Sequence, residues 1–131
     1  MADTRLKVTF TDIEVIRDGD PVDMGEIYWS LKVDGSVVTS RSVNNPLKVG
    51  SGGTITLGQN AIVTKPAQGG TLLVVSGSVS EKDSFLGGKD DSASFTHNFN
   101  LGNDWGTGNP HTAPLADRNL DVIVNYIVER V

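Results

Sequence analysis

The residues that could carry chemistry are carboxylates, and they are bunched. The chain holds sixteen Asp and Glu against eleven Lys and Arg, a net charge of −5. Asp18, Asp20, Asp23 and Glu26 lie in the stretch DGDPVDMGE, and Glu81, Asp83, Asp90 and Asp91 in EKDSFLGGKDD. From Gly35 to Ser80 there is neither Asp nor Glu. Asp and Gly are ordinary turn residues, but two clusters flanking an acid-free stretch exceed what turns require. Carboxylates held close together repel unless a cation neutralises them. The donors on offer are hard oxygens, because the chain has no Cys and only two His. That set selects Ca2+ over zinc or copper. Mg2+ is the weaker alternative, since it keeps more water and takes fewer protein ligands. The candidate ligands are Asp18, Asp20, Asp23, Glu81, Asp83, Asp90 and Asp91, with Glu26 a lesser one because it opens a strand. Backbone carbonyls and water would complete a shell of about six to eight oxygens. The spacing is not that of an EF-hand loop, and GGKDD is a single fragment of a nonapeptide that works by repetition.

Other reactive groups point to less. Trp105 lies in the Gly- and Pro-rich stretch LGNDWGTGNPHTAPLADR, Leu101–Arg118, which reads as one long loop. It is a candidate partner contact, able to stack on a sugar or enter a lipid interface, or else it folds back over the end of the core. Asp104 and Asp117 in the same stretch could add carboxylates to the cation site. His97, between Phe95 and Phe99, reads as a half-buried strand residue, and His111 as a more exposed loop residue. No GxSxG elbow, phosphate loop or dinucleotide fingerprint is present. Paired carboxylates can hydrolyse glycosides, but these sit in charged loops and not along an apolar cleft. The expectation is that the chain is not an enzyme. Its acidic balance disfavours nucleic acid, which needs a basic footprint.

The elements that must position these loops are strands. The 131 residues suit one domain, 1–131, large enough to bury a core without disulfides. Leu6, Val8 and Phe10 alternate with polar residues, and the apolar parity then changes at Ile13 and Val15, which predicts a bulge near Thr11–Asp12. Ile27, Trp29, Leu31 and Val33 share a face, and Asp34-Gly35 after them suits a type I′ hairpin leading into Val37–Val43. Further strands are expected at Thr54–Leu57, Ala61–Thr64, Thr71–Glu81, Ala93–Leu101 and Asn119–Arg130. The last is apolar on both parities, which predicts a central strand. No helical stripe survives over ten residues. The fold class is all-β, an antiparallel sandwich of about eight strands. The opening MADTRLKVTF has no apolar signal-peptide core, and no run is long enough to span a membrane. The compartment, cytoplasmic or extracellular, stays open.

The stretch LKVTFTDIEVIRDGDPVDMGEIYWSLKVDG resembles the opening of a C-two-type module, the Ca2+-dependent β-sandwich of many membrane-docking proteins. The order is similar: a strand, an Asp-bearing loop, a second strand, and later an acidic loop of Glu-x-Asp…Asp-Asp type. The resemblance implies that Asp18, Asp20 and Asp23 belong to a first calcium loop and Glu81, Asp83, Asp90 and Asp91 to a later one. It covers mainly Leu6–Gly35 and Ser78–Phe95. The family's basic, lipid-engaging strand is not matched, since Arg41, Lys48 and Lys65 are scattered. The expected function is a calcium-binding module whose ion regulates or rigidifies a surface for phospholipid or a protein partner. Two alternatives belong to other classes. One is a structural subunit of a self-assembling fibre, surface layer or particle, a homo-oligomer joined by edge strands with or without Ca2+ at its interfaces. The other is a carbohydrate-binding module with Trp105 as its platform.

Overall fold

The computed structural model describes residues 3–20, 24–83 and 89–131. Among them, nine strands form two antiparallel sheets. The strands are β1 (Thr4–Asp18), β2 (Gly25–Val33), β3 (Ser36–Arg41), β4 (Leu47–Val49), β5 (Thr54–Lys65), β6 (Leu73–Glu81), β7 (Asp91–Phe99), β8 (Pro110–Asp117) and β9 (Leu120–Arg130). One sheet has the order β5-β1-β9-β8, and the other β3-β2-β6-β7 with β4 also paired to β2.

The apolar alternation drives this arrangement. Leu6, Val8 and Phe10 of β1 are fully buried, the register slips between Phe10 and Asp12, and Ile13 and Val15 are then buried on the opposite parity. The predicted bulge is thus present, and it keeps both halves of β1 facing the core. Ile27, Trp29, Leu31 and Val33 of β2 face them from the other sheet. Leu120, Val122, Val124, Tyr126 and Val128 make the inward face of β9, which lies between β1 and β8 and so is central, as expected. Asp34 and Gly35 both take positive φ, 50° and 81°, the backbone that a type I′ turn demands.

Three elements depart from the expectation. The segments 54–57 and 61–64 are one continuous strand, β5, which passes through Gly58 at φ 76°. The short β4 pairs with the start of β2 over three residues. The stretch 101–118 is not one loop but a 3-10 turn, Leu101–Gly106, followed by β8. Pro110 and Pro114 mask β8 in the sequence. They are tolerated because β8 is an outer strand bonded on one side only.

Candidate metal-binding end

β1, β6 and β8 finish, and β2, β7 and β9 begin, at one end of the sandwich. The acids collect there. Glu81 pairs in register with Ile27 on one side and Asp91 on the other, so both acids share the inward parity of the core. Asp18 ends β1 on the facing sheet, opposite Leu120. Asp18, Glu81 and Asp91 are 6%, 4% and 7% exposed, so three carboxylates from two sheets close the end of the core.

Two glycines permit this closeness. A Cβ on Gly25 would stand 2.2 Å from the carbonyl oxygen of Asp18, so the chain entering β2 runs against the end of β1. A Cβ on Gly19 (φ 83°) would stand 3.0 Å from Cγ of Glu81. The first acidic loop therefore rests on the last residue of β6.

Each acid has a distinct setting. Asp18 Oδ1 accepts the Asp20 N–H at 2.9 Å, and the Asp18 N–H donates to Ser51 Oγ at 3.1 Å. Asp90 accepts the Asp83 N–H at 2.9 Å and the Tyr28 hydroxyl at 2.7 Å. Asp91 is paired with Arg118, Nε to Oδ1, at 2.7 Å. Arg118 also donates to the carbonyls of Lys89 (3.0 Å) and Asp90 (3.2 Å), which ties the second acidic loop to the β8–β9 turn. Asp117 accepts the Ser92 N–H at 2.8 Å. Glu81 is pushed up to about 7, first by burial and then by Asp20, Asp91 and Asp83, against a lowering hydrogen bond from the Glu26 backbone. Burial first, and then Asp90, raises the Tyr28 hydroxyl.

The two acidic clusters therefore meet, with Asp20, Asp83 and Asp91 all acting on Glu81. Asp18 and Asp90 join through hydrogen bonds to the backbones of Asp20 and Asp83. Asp23 lies outside the described residues, and Glu26 takes part through its backbone, its carbonyl accepting the Lys82 N–H at 2.8 Å. Among the described residues, no three His, Asp or Glu converge into a ready-made metal cage. The sequence reading missed Arg118, Tyr28 and Ser51. Nothing in their spacing signals the role, which comes from strand order.

Trp105 is elsewhere and is not displayed. It is 0% exposed, on the 3-10 turn between β7 and β8, and its Nε1–H has no hydrogen-bond partner among the described residues. A partner-contacting Trp105 is corrected to a plug: the backbone at Asp104, Trp105 and Gly106 takes φ of 54°, 58° and 73°, which turns the indole inward. Asp104 is paired with Arg130 and so sits near the last residues of β9, away from the acidic end. His111 is not in a loop but on β8, with Nε2 2.6 Å from the Gly106 carbonyl. His97 Nδ1 lies 2.5 Å from the Tyr126 hydroxyl, and burial, then His111, lowers its pKa.

No family model matches the sequence, and no curated protein does. Solved structures do match in shape. A structure described as that of a C2 domain aligns at TM-score 0.51 and 15% identity over 96% of this chain and 98% of that one. The fold is C2-like. The C2A domain of plant extended synaptotagmin 1 aligns at TM-score 0.51 and 9% identity, over 98% of this chain and 95% of that one. Human GIVD cytosolic phospholipase A2, in complex with a fluorophosphonate inhibitor and terbium chloride, aligns at TM-score 0.51 and 12% identity. The C2-like chain is covered to 99% in that match but spans only 18% of the phospholipase. At such identities the likeness concerns the fold of the C2-like sandwich and no residue-by-residue role.

Proposed function

We propose that this C2-like chain is a Ca2+-binding module whose ion sits between the 18–26 and 81–91 acidic loops and conditions a surface for an anionic membrane or a protein partner. The observation that supports it is the meeting of the two clusters on Glu81. A buried carboxylate whose ionisation Asp20, Asp91 and Asp83 each disfavour is a site of negative potential that a hard cation would relieve, and the ion would have to draw these acids closer than they now stand. The donor set fits, being carboxylate oxygens throughout. The hydrogen bonds to Asp18 and Asp90 leave acceptor capacity, since an ionised carboxylate offers about four lone-pair sites. Asp91 fits less well, because Arg118 already neutralises it. Asp20, Glu81 and Asp83 would be the primary holders, with Asp18 and Asp90 beside them. The bound ion would hold the two loops together and hold Glu81 ionised. Ile16 and Met24, 46% and 47% exposed at this same end, give the apolar contact that a docking surface needs.

The test is thermal unfolding after EDTA treatment, with Ca2+ or Mg2+ restored. A rise specific to Ca2+ is expected, following RT ln(1 + [L]/Kd), and it should vanish in Asp18→Asn/Asp20→Asn and in Asp90→Asn/Asp91→Asn. Co-sedimentation with phosphatidylserine vesicles then separates a lipid partner from a protein one. No shift at millimolar Ca2+ would sink the proposal.

A second reading has one observation behind it. β3 and β5 are outer strands of their sheets, and β5 runs for twelve residues with Ile62 48% exposed. Such an edge can pair between copies. Light scattering that shows monomers at every concentration, with and without Ca2+, would remove assembly.

A further inference from the structure

A second candidate site lies on the side of the sandwich where β3 and β5 are the outermost strands. A cleft of about 410 Å3 opens there between the sheets. That falls within the range of small-molecule sites, toward its lower end. Trp29, Ile55 and Leu57 supply its apolar lining, and Arg41 stands among polar neighbours on the β3 side. Arg41 pairs in register with Trp29 across β2 and β3, so both side chains lie on the same face of the sheet. Trp29 is 7% exposed, and its Nε1–H donates to Thr39 Oγ1 at 3.3 Å.

The charge at this place is unusual for the chain. Apart from Trp29, the lining falls within the Gly35–Ser80 stretch, which has no Asp or Glu. The ion pairs among the described residues are Lys65–Asp34, Arg118–Asp91 and Arg130–Asp104. Arg41 is in none of them. Its Nε donates to the Asn45 carbonyl at 2.7 Å, which fixes the guanidinium and leaves the two Nη groups as a fork. One cation without a counter-ion, beside an indole and two aliphatic side chains, is complementary to one negative charge on an apolar body. A phosphate dianion would bring more charge than a single guanidinium offsets.

We infer that the β3–β5 cleft binds a small amphiphilic carboxylate, its carboxylate on the Nη groups of Arg41 and its apolar part against Trp29, Ile55 and Leu57. The site is separate from the acidic end and does not depend on calcium. The structural alternative is that Arg41 is an inward-pointing charge that guards an outer strand against pairing with other chains.

The experiment is a nitrogen-15 NMR titration of the chain with octanoate, and in parallel with octanol, following the two indole N–H signals. Trp29 reports the cleft. Trp105, fully buried at the β7–β8 side, is the internal control. A saturable shift of Trp29 with octanoate at about millimolar affinity is expected, with Trp105 unmoved. Octanol should bind about tenfold more weakly, the cost of losing one charge-assisted contact. Arg41→Gln should lower octanoate affinity about tenfold, and Arg41→Lys less. If octanoate produces no saturable shift, or octanol matches it, the inference is overturned without recourse to any variant. If octanoate binds but Arg41→Gln leaves its affinity unchanged, Arg41 is an edge guard only.

Discussion

Replacing Glu81 by Gln should make the metal-free protein more stable and the calcium-loaded protein relatively weaker. Glu81 is 4% exposed, and its carboxyl is raised from an ordinary 4.5 to about 7. For a carboxyl, a raised value means that the folded state binds the proton more tightly than the unfolded chain. Stability is then highest below about 4.5, falls as pH rises toward 7, and carries the whole penalty above 7. The difference corresponds to about 3 kcal/mol. Gln carries no charge and can still accept the Glu26 N–H, so Glu81→Gln should recover that amount at pH 8 and almost nothing at pH 4. For a chain of this size that is roughly 10 °C in Tm. The assay is calorimetry in EDTA at both pH values, repeated in Ca2+. Ca2+ should raise the wild type and leave the variant nearly unmoved at pH 8, so the gap between them narrows or inverts. If Glu81→Gln in EDTA lowers Tm at pH 8, the burial-and-repulsion argument is wrong. If it behaves as expected in EDTA but Ca2+ stabilises both proteins equally, the charge argument stands and Glu81 is not a ligand.

Three further outcomes follow from the same structure. His97 has a lowered pKa, so its contribution to stability is complete above its ordinary 6.5 and is lost as pH falls through its folded-state value; His97→Phe should flatten the acid side of a Tm-against-pH curve, and an unchanged curve would count against the seam of His97, His111 and Tyr126. Gly25→Ala should cost about 1–3 kcal/mol or more in denaturant unfolding, because its Cβ meets the Asp18 carbonyl, whereas Gly35→Ala meets open space and should cost about 1 kcal/mol for its positive φ alone. Trp105→Ala should destabilise the fold by about 3–5 kcal/mol, as expected for a fully buried ring, and a stable variant with lost glycan binding would instead restore the displayed-platform reading.

The fold was legible where side-chain parity alone decides it. The slip from Phe10 to Ile13 is visible because a bulge must reverse which residues face inward, and β9 is visible because its inward parity, Leu120 to Val128, is apolar throughout; its other parity is only half-buried, and its central place lies in pairing with β1 and β8 on its two edges. β8 was hidden because proline argues against a strand unless one edge is known to be unpaired, and that is a fact of strand order. The joining of β5 through Gly58 was hidden for a similar reason, since Gly reads as a break until its neighbours are known. The candidate site divides in the same way. Composition exposed both acidic clusters, but only the antiparallel neighbours β2, β6 and β7 bring Glu81 beside Asp91 and under Gly19. Arg118 escaped notice because a lone arginine in a turn has no partner until the β8–β9 turn is placed next to the second acidic loop. Trp105 stayed open between a surface contact and a fold-back over the core because what directs it inward is a left-handed backbone at Asp104 and Trp105, which a bulky residue rarely adopts and which its sequence spacing does not signal.

The strand order of the four-stranded sheet has a consequence for how the sandwich assembles. β1 pairs with β9 from Leu6–Arg130 to Asp18–Leu120, so the sandwich's first strand is the long-range partner of its ninth. Until β9 is in place, one edge of the fifteen-residue β1 stays open, and closing it means joining segments far apart in sequence. Removing β9 would therefore not shorten the sheet at its margin. It would remove the sheet's middle and strand β8 apart from β1, leaving nascent or truncated chains with an exposed apolar edge suited to aggregation.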